Sequence, residues 1–427
     1  MKPQLFFLPL STNNMRLLIV LIFLTTHLYC CAQILIENAT GQFEITVIST
    51  ESKTVEINKY LPSNTDDGKL IIPRSLSVNN KSYKVISLGD SIFYGNTNIK
   101  IVYLPRSICH VGSRAFAECN NLQEIIVGNQ LVLYDFEALN GTAWLDHQQD
   151  GIVYLGTTVY KYKGVLPRHI KIKRGTKAIC DHAFSSSKES KIINNITLPG
   201  SLRYLSGFDF TSIDNIIIPP RVKTIGIDAF FSCTHLKKVV FPKKLKKICY
   251  GAFSECYSLE NIVLPQSLKY IDDWAFHNCI NNKEIIIPDA VETIGDYSFS
   301  NSDGLWYVYN DSSITHSKLK HIQIGKGLKE LPDHAFSLNS IDSITIPANV
   351  KIIRNAAFET PGTLFKVRCE SIRPPFIDIT SNPFGFNMVP YIVPNKERIL
   401  YIPHGSLKAY MNAEGWGDFD EIIEFDQ

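Results

Sequence analysis

Residues 236–256 read LKKVVFPKKLKKICYGAFSEC, and residues 259–279 read LENIVLPQSLKYIDDWAFHNC. Laid over each other at an offset of 23, Leu236 falls on Leu259, Val239 on Ile262, Phe241 on Leu264 and Pro242 on Pro265. Leu245 falls on Leu268, Ile248 on Ile271 and Cys256 on Cys279 in the same way. The Ala-Phe pair of this unit, or a near equivalent, returns along the chain. It stands at Ala115-Phe116, Ala183-Phe184, Ala229-Phe230, Ala252-Phe253, Ala275-Phe276, Ser298-Phe299, Ala335-Phe336 and Ala357-Phe358. Phe230, Phe253, Phe276 and Phe299 are each 23 apart, as are Phe93 and Phe116, and Phe336 to Phe358 is 22. Phe184 and Phe230 are two periods apart, with Phe210 near the middle. Roughly a dozen such units fit between residues 70 and 366.

The physical content of one unit is a pair of inward-facing segments. Val239-x-Phe241 and Ile262-x-Leu264 alternate in the strand period, which buries one face. The following proline ends the strand, because it has no N–H to give a ladder. Leu245, then Ile248, then Ala252-Phe253 make a second inward-facing segment on the opposite wall. A 23-residue unit cannot bury these side chains alone, so it must stack on its neighbours.

The I-x-(I/L)-P-x-x-(L/V)-x-x-I-x-x-x-A-F-x-x-C unit resembles the bacterial leucine-rich-repeat family typified by the surface antigen BspA and the Treponema pallidum repeat proteins. The resemblance runs from about Gly68 to Ile423. It implies a β-rich right-handed solenoid, a leucine-rich repeat of ~23-residue units with a parallel sheet and N- and C-terminal caps. It also implies a non-enzymatic cell-surface or secreted protein that binds other macromolecules, often as an adhesin. The stretch from Gly141 to Gly164 looks like the family's extended interrupting segment, and residues 400–422 look like its end-cap.

The flanks divide accordingly. Residues 15–32, MRLLIVLIFLTTHLYCCA, carry Arg16, an apolar run from Leu17 to Leu24, and small residues at Cys30 and Ala32. That is a signal-peptide pattern with cleavage before Gln33, so residues 1–32 are read as a signal peptide, with Met15 as an alternative start. Leu28-Tyr29-Cys30-Cys31 also has a loose likeness to a lipoprotein box, which would place a lipid on Cys31; membrane attachment is expected through that route only. Residues 33–67 lack the Ala-Phe unit and are read as an N-terminal cap, residues 68–366 as the solenoid, and residues 367–427 as its end and C-terminal cap. Trp416 and Phe419 are the residues expected to close the core. The solenoid is interrupted at 135–164 and 300–318.

The whole-chain composition excludes several classes. The 427 residues are 45% hydrophobic and 20% charged, which is globular rather than disordered. With 43 Lys+Arg against 41 Asp+Glu, the net charge of +2 gives no global field for a nucleic acid, and none is expected as a partner. Neither a G-x-S-x-G elbow, a Walker loop, a G-x-G-x-x-G nor an H-E-x-x-H appears, so no catalytic residue, cofactor or metal is expected. Cys119, Cys233, Cys256 and Cys279 share one repeat position, and Cys180 and Cys249 another. Stacked units would bring ladder cysteines within disulfide range, yet other units place Ser302 or Asn339 there. A small side chain in a reduced, inert state is therefore favoured.

Candidate partner-binding residues follow from what faces outward. Lys237, Lys238, Lys243 and Lys244 crowd one unit and could meet an acidic glycan or protein. Val240, Val263 and Ile286 fall at the outward strand position of three successive units and would make an apolar stripe. Trp306, Tyr307 and Tyr309 stand in the second interruption, where insertions map to loops; packing on an adjacent repeat is the competing expectation. The partner is expected to be a protein or a glycan. A structural or assembly component of the bacterial cell envelope is the alternative role.

Overall fold

The strand Lys238–Val240 buries Val239 and exposes both flanking side chains, and Lys247–Ile248 buries Ile248 on the opposite wall. Between them the chain turns at Pro242, whose carbonyl accepts from Leu245 N at 3.1 Å. Leu245 is fully buried, and so are Ala252 and Phe253 beyond it. One repeat is thus two short strands and a turn carrying Ala-Phe, with apolar residues from all three meeting inside.

The computed structural model describes residues 17–19, 33–38, 41–62, 67–185, 193–301, 317–359, 364–378, 384 and 398–426. They fall into two units: Met1–Gly164 with Ala178–Cys180, and Val165–Lys177 with Asp181–Gln427.

The first unit opens with an antiparallel meander, in which Leu17–Ile19 pairs with Gln33–Asn38, that strand with Gly41–Ser49, and that with Thr54–Pro62. Of the segment read as a signal peptide, only Leu17–Ile19 is among the described residues. Pairing turns parallel where Thr54–Pro62 meets Lys81–Leu88, and continues through His110–Val111 to Leu133–Tyr134. A second parallel ladder joins Lys69–Ile71, Ile101–Tyr103 and Glu124–Ile126. Leu70 and Val102 from this ladder share one core with Val85 and Val111 from the other.

The interruption at 135–164 is ordered, with Trp144 and Tyr160 turned inward and Phe136 outward. Thr142 caps the short helix Ala143–Asp146 by accepting from Leu145 N at 3.2 Å. A hairpin of Gly151–Leu155 and Thr158–Lys163 follows. Trp144 and Tyr160 are buried, and the Tyr160 hydroxyl accepts from Leu139 N at 2.9 Å.

In the second unit every strand pairing is parallel among the described residues. One ladder runs Tyr204–Leu205, Thr224–Ile225, Lys247–Ile248, Tyr270–Ile271 and Thr293–Ile294. Another runs Glu284–Ile286, His321–Gln323, Ser343–Ile346, Lys366–Cys369, Ile399–Pro403 and Glu421–Phe425. The Ala-Phe turns form their own ladder, since Phe230 N, Phe253 N and Phe276 N each donate at 2.8 Å to the carbonyl before the next ring.

Down the middle runs a column of rings. Phe253 stacks on Phe230 and on Phe276 at centroid distances of 5.3 Å, with planes 11° and 6° apart. The column extends back to Phe184 and onward through Phe299, Phe336 and Phe358 to Phe384. Phe299 and Phe336, 37 residues apart in sequence, still stack at 5.6 Å, so the insertion between them leaves the packing register intact. Trp416 and Phe419 meet Phe384 edge-on, and Trp416 is fully buried.

Two details depart from the sequence expectation. The ring between Phe184 and Phe230 is Phe208, preceded by Gly207 in place of Ala, whereas Phe210 lies outside the column against Phe231. Ile262 and Leu264 are buried as the strand period requires, but residues 259–264 form no strand. At Asn282, where the preceding units carry Leu236 and Leu259, the side chain accepts from Ile262 N at 3.1 Å and donates to Glu284 O at 2.7 Å. An amide side chain occupies the place of a strand carbonyl there, and the ladder breaks.

Candidate functional site

The outward face of the second unit is set by strand alternation. Val239, Ile262 and Ile285 point into the core, so Val240, Val263 and Ile286 must point away from it. They are 42%, 75% and 45% exposed, and Ile217, hydrogen-bond partner strand to Val240, is 74% exposed. Four β-branched side chains therefore stand in successive units at one register position. At a strand spacing of about 4.8 Å the row is on the order of 14 Å long. Ile217 was not among the sequence candidates, although subtracting one period of 23 from Val240 reaches it.

Lys237 and Lys238 flank this row, and Lys243 and Lys244 stand just beyond Pro242; all four are exposed. Lys237 Nζ lies 4.0 Å from Asp214 Oδ1, a contact too long and too solvated to neutralise the patch. The structure thus places the lysines and the apolar row on neighbouring ground. Trp306, Tyr307 and Tyr309 lie outside the described residues.

The ladder cysteines are inward. Cys119, Cys233, Cys256 and Cys279 each give their thiol to the carbonyl of the preceding unit's phenylalanine (Phe93, Phe208, Phe230 and Phe253), at 3.0–3.3 Å. Burial pushes the Cys233 thiol up to about 12 and the Cys119 thiol up to about 11. No disulfide joins them. Where the register reaches Asn339 the amide does the same work, donating to Phe299 O at 2.9 Å.

One constellation could be mistaken for a nucleophile relay: Ser87 Oγ lies 2.9 Å from His110 Nδ1, and His110 Nε2 lies 2.9 Å from Asp135 Oδ2. Ser87 is only 4% exposed, and its hydroxyl donates to Glu56 Oε2 at 2.6 Å. The hydroxyl proton is given to a carboxylate rather than to the imidazole, the reverse of what an attacking serine needs. Among the described residues no group of three or more His, Cys, Asp or Glu side chains could hold a metal ion. No described helix is long and apolar enough to cross a membrane.

Short parallel strands recurring every 22 or 23 residues, an inward leucine-type position in each and a column of stacked rings define a leucine-rich-repeat β-solenoid. The chain belongs to the family described as the BspA type leucine rich repeat region, which matches in six copies over residues 57–148, 205–317 and 310–381. Among solved structures it is similar to a leucine-rich repeat protein of Bacteroides ovatus, at 20% identity over 89% of this chain and 97% of that one, with a TM-score of 0.43. It is also similar to a leucine rich cell surface protein of Faecalibacterium prausnitzii, at 18% identity over 92% and 95% of the two chains, TM-score 0.33. The pneumococcal vaccine antigen PcpA shares 15% identity over 92% and 99%, TM-score 0.35. No curated protein matches the chain.

Proposed function

We propose that this chain is exported and acts at the bacterial cell surface as a non-catalytic binding protein, an adhesin whose partner is a protein. The observation that carries the reading is the row Ile217, Val240, Val263 and Ile286. Exposed β-branched side chains at one register position of consecutive units cost solubility and add nothing to the core, so they are explained by a partner that covers them. The adjoining lysines supply charge complementarity to an acidic rim on that partner, which favours encounter and orientation more than affinity. Residues 15–32 act as the export leader, so the strand Leu17–Ile19 leaves with it, and the mature chain starts at Gln33 or carries lipid on Cys31.

Binding of the purified chain to a panel of extracellular-matrix and host-surface proteins tests the reading. Val263→Glu with Ile286→Glu should weaken binding tenfold or more, and charge reversal at Lys237, Lys238, Lys243 and Lys244 should lower both affinity and its salt dependence. Failure on every such protein, with tight binding to a component of the cell's own envelope, would overturn the adhesin reading. The mass of the mature N-terminus from intact cells tests the leader.

A further inference from the structure

Further along the same ladder the outward face changes character. Gln323 is in register with Thr345, Thr345 with Arg368, and Arg368 with Tyr401, while Ser343 is in register with Lys366. Ile322, Ile344, Val367 and Leu400 from these strands are buried, so the intervening side chains face out. Over the edges of Ile322 and Ile344 they wall a groove of about 330 Å³ lined by His321, Ser343, Thr345, Lys366, Arg368 and Tyr401. That is the small end of the range for ligand sites, ~300–1,000 Å³.

The lining holds two cations, a histidine and three hydroxyls, and no carboxylate; Asp342 stands outside it and takes the Ser343 proton at 2.9 Å, which leaves the Ser343 oxygen as an acceptor. Arg368 is held ready, with its guanidinium carbon 3.4 Å from the ring centroid of Phe425. A cation lying flat on an aromatic face keeps its N–H edges for a ligand and loses less side-chain freedom on binding. The nearby Arg398 shows the alternative, since it is closed off by two 3.1 Å contacts to the carboxylate of Asp420. Neither Lys366 nor Arg368 has a carboxylate partner among the described residues.

We propose that this groove binds an acidic saccharide. A carboxylate or sulfate of the sugar is taken by Arg368 and Lys366, its hydroxyls by Ser343, Thr345 and His321, and one face of its ring by Tyr401. Hydroxyl-bearing side chains beside the cations fit a ligand that carries hydroxyls beside its charge. An acidic peptide offers the charge without the hydroxyls. The site is distinct from the row at Ile217–Ile286 and does not depend on a protein partner docking there.

The test is calorimetric titration of the full chain with polygalacturonate, heparin, polyglutamate and dextran. Binding to polygalacturonate or heparin is expected, at least tenfold weaker binding to polyglutamate, and none to dextran; which acidic glycan binds tells carboxylate from sulfate. Lys366→Gln with Arg368→Gln should weaken it tenfold or more and reduce its salt dependence, and Arg368→Lys should fall between. Lys243→Gln with Lys244→Gln, and Val263→Glu, should leave it unchanged. No binding to either acidic glycan, equal binding to polyglutamate, or an equal loss from the Lys243 and Lys244 pair would overturn the proposal.

Discussion

His110 Nε2 lies 2.9 Å from Asp135 Oδ2, and the relationship fixes the protonation of the ring. A carboxylate only accepts, so Nε2 must carry a proton toward Asp135. On the other side Ser87 spends its one proton on Glu56, so Nδ1 must donate to the Ser87 oxygen. Both ring nitrogens are donors, and the ring is an imidazolium that ties together the strands Thr54–Pro62, Lys81–Leu88 and His110–Val111 and the turn after Leu133–Tyr134.

This arrangement has a pH signature. The hydrogen bond to Asp135, opposed by burial, holds His110 above the ordinary histidine value of 6.5. The folded chain keeps this proton where the unfolded chain has lost it. Its contribution is therefore complete below about pH 6.5 and disappears as pH rises through the raised folded value. The pair is about one-third exposed, which limits the effect to roughly 1 kcal/mol. Melting temperature against pH should show an alkaline decline that Asp135→Asn flattens; an identical slope in the variant would count against the imidazolium.

His277 predicts the opposite limb. Ser300 donates its hydroxyl to Tyr297 O at 3.0 Å, so His277 Nδ1 donates to Ser300 Oγ at 2.7 Å. Burial lowers this ring to about 4 from 6.5. Between those values the unfolded chain binds the proton and the folded chain does not, so stability falls as pH drops from 6.5 toward 4. The full effect is on the order of 3 kcal/mol. His277→Ser, which installs the residue found at the same register in Ser254 and Ser300, should flatten the acid limb of a urea-denaturation series.

The ring column predicts where large losses fall. Phe253 is fully buried with a neighbour stacked on each face, so Phe253→Ala should cost about 3–5 kcal/mol in urea denaturation. Phe210→Ala, outside the column and half-buried, should cost no more than about 1 kcal/mol. Equal losses at the two positions would mean that the stacking register is wrong.

Thiol chemistry should single out one cysteine. Of the eight described cysteines, Cys109 is exposed and the other seven are buried. Native-state alkylation followed by peptide mass mapping should mark Cys109 alone among these eight, and slowly, because partial burial also raises its thiol above 9.0. Modification of Cys233 or Cys256 before unfolding would contradict the ladder.

Much of this was legible from residue order because a repeat converts spacing into position. The alternation around Val239 decides that Val240 faces out, and the period of 23 carries the decision to Val263 and Ile286. The period misled where a unit changed its wording. Gly207-Phe208 replaces Ala-Phe, so the column ring of that unit lacks the pair that marks the others, and Asn282 replaces leucine with an amide that takes a strand's hydrogen bond.

What the sequence by itself determined is the repeat, its inward residues and the family, since hydrophobic periodicity needs only local order to be read. Tertiary structure alone decided the sites built across units. Ser87, His110 and Asp135 form one proton-sharing chain because three turns stack. Thr345, Arg368 and Tyr401 line one groove although they are separated by 23 and then 33 residues. Strand pairing holds these residues at one register while the connections vary in length, and no fixed period can announce that.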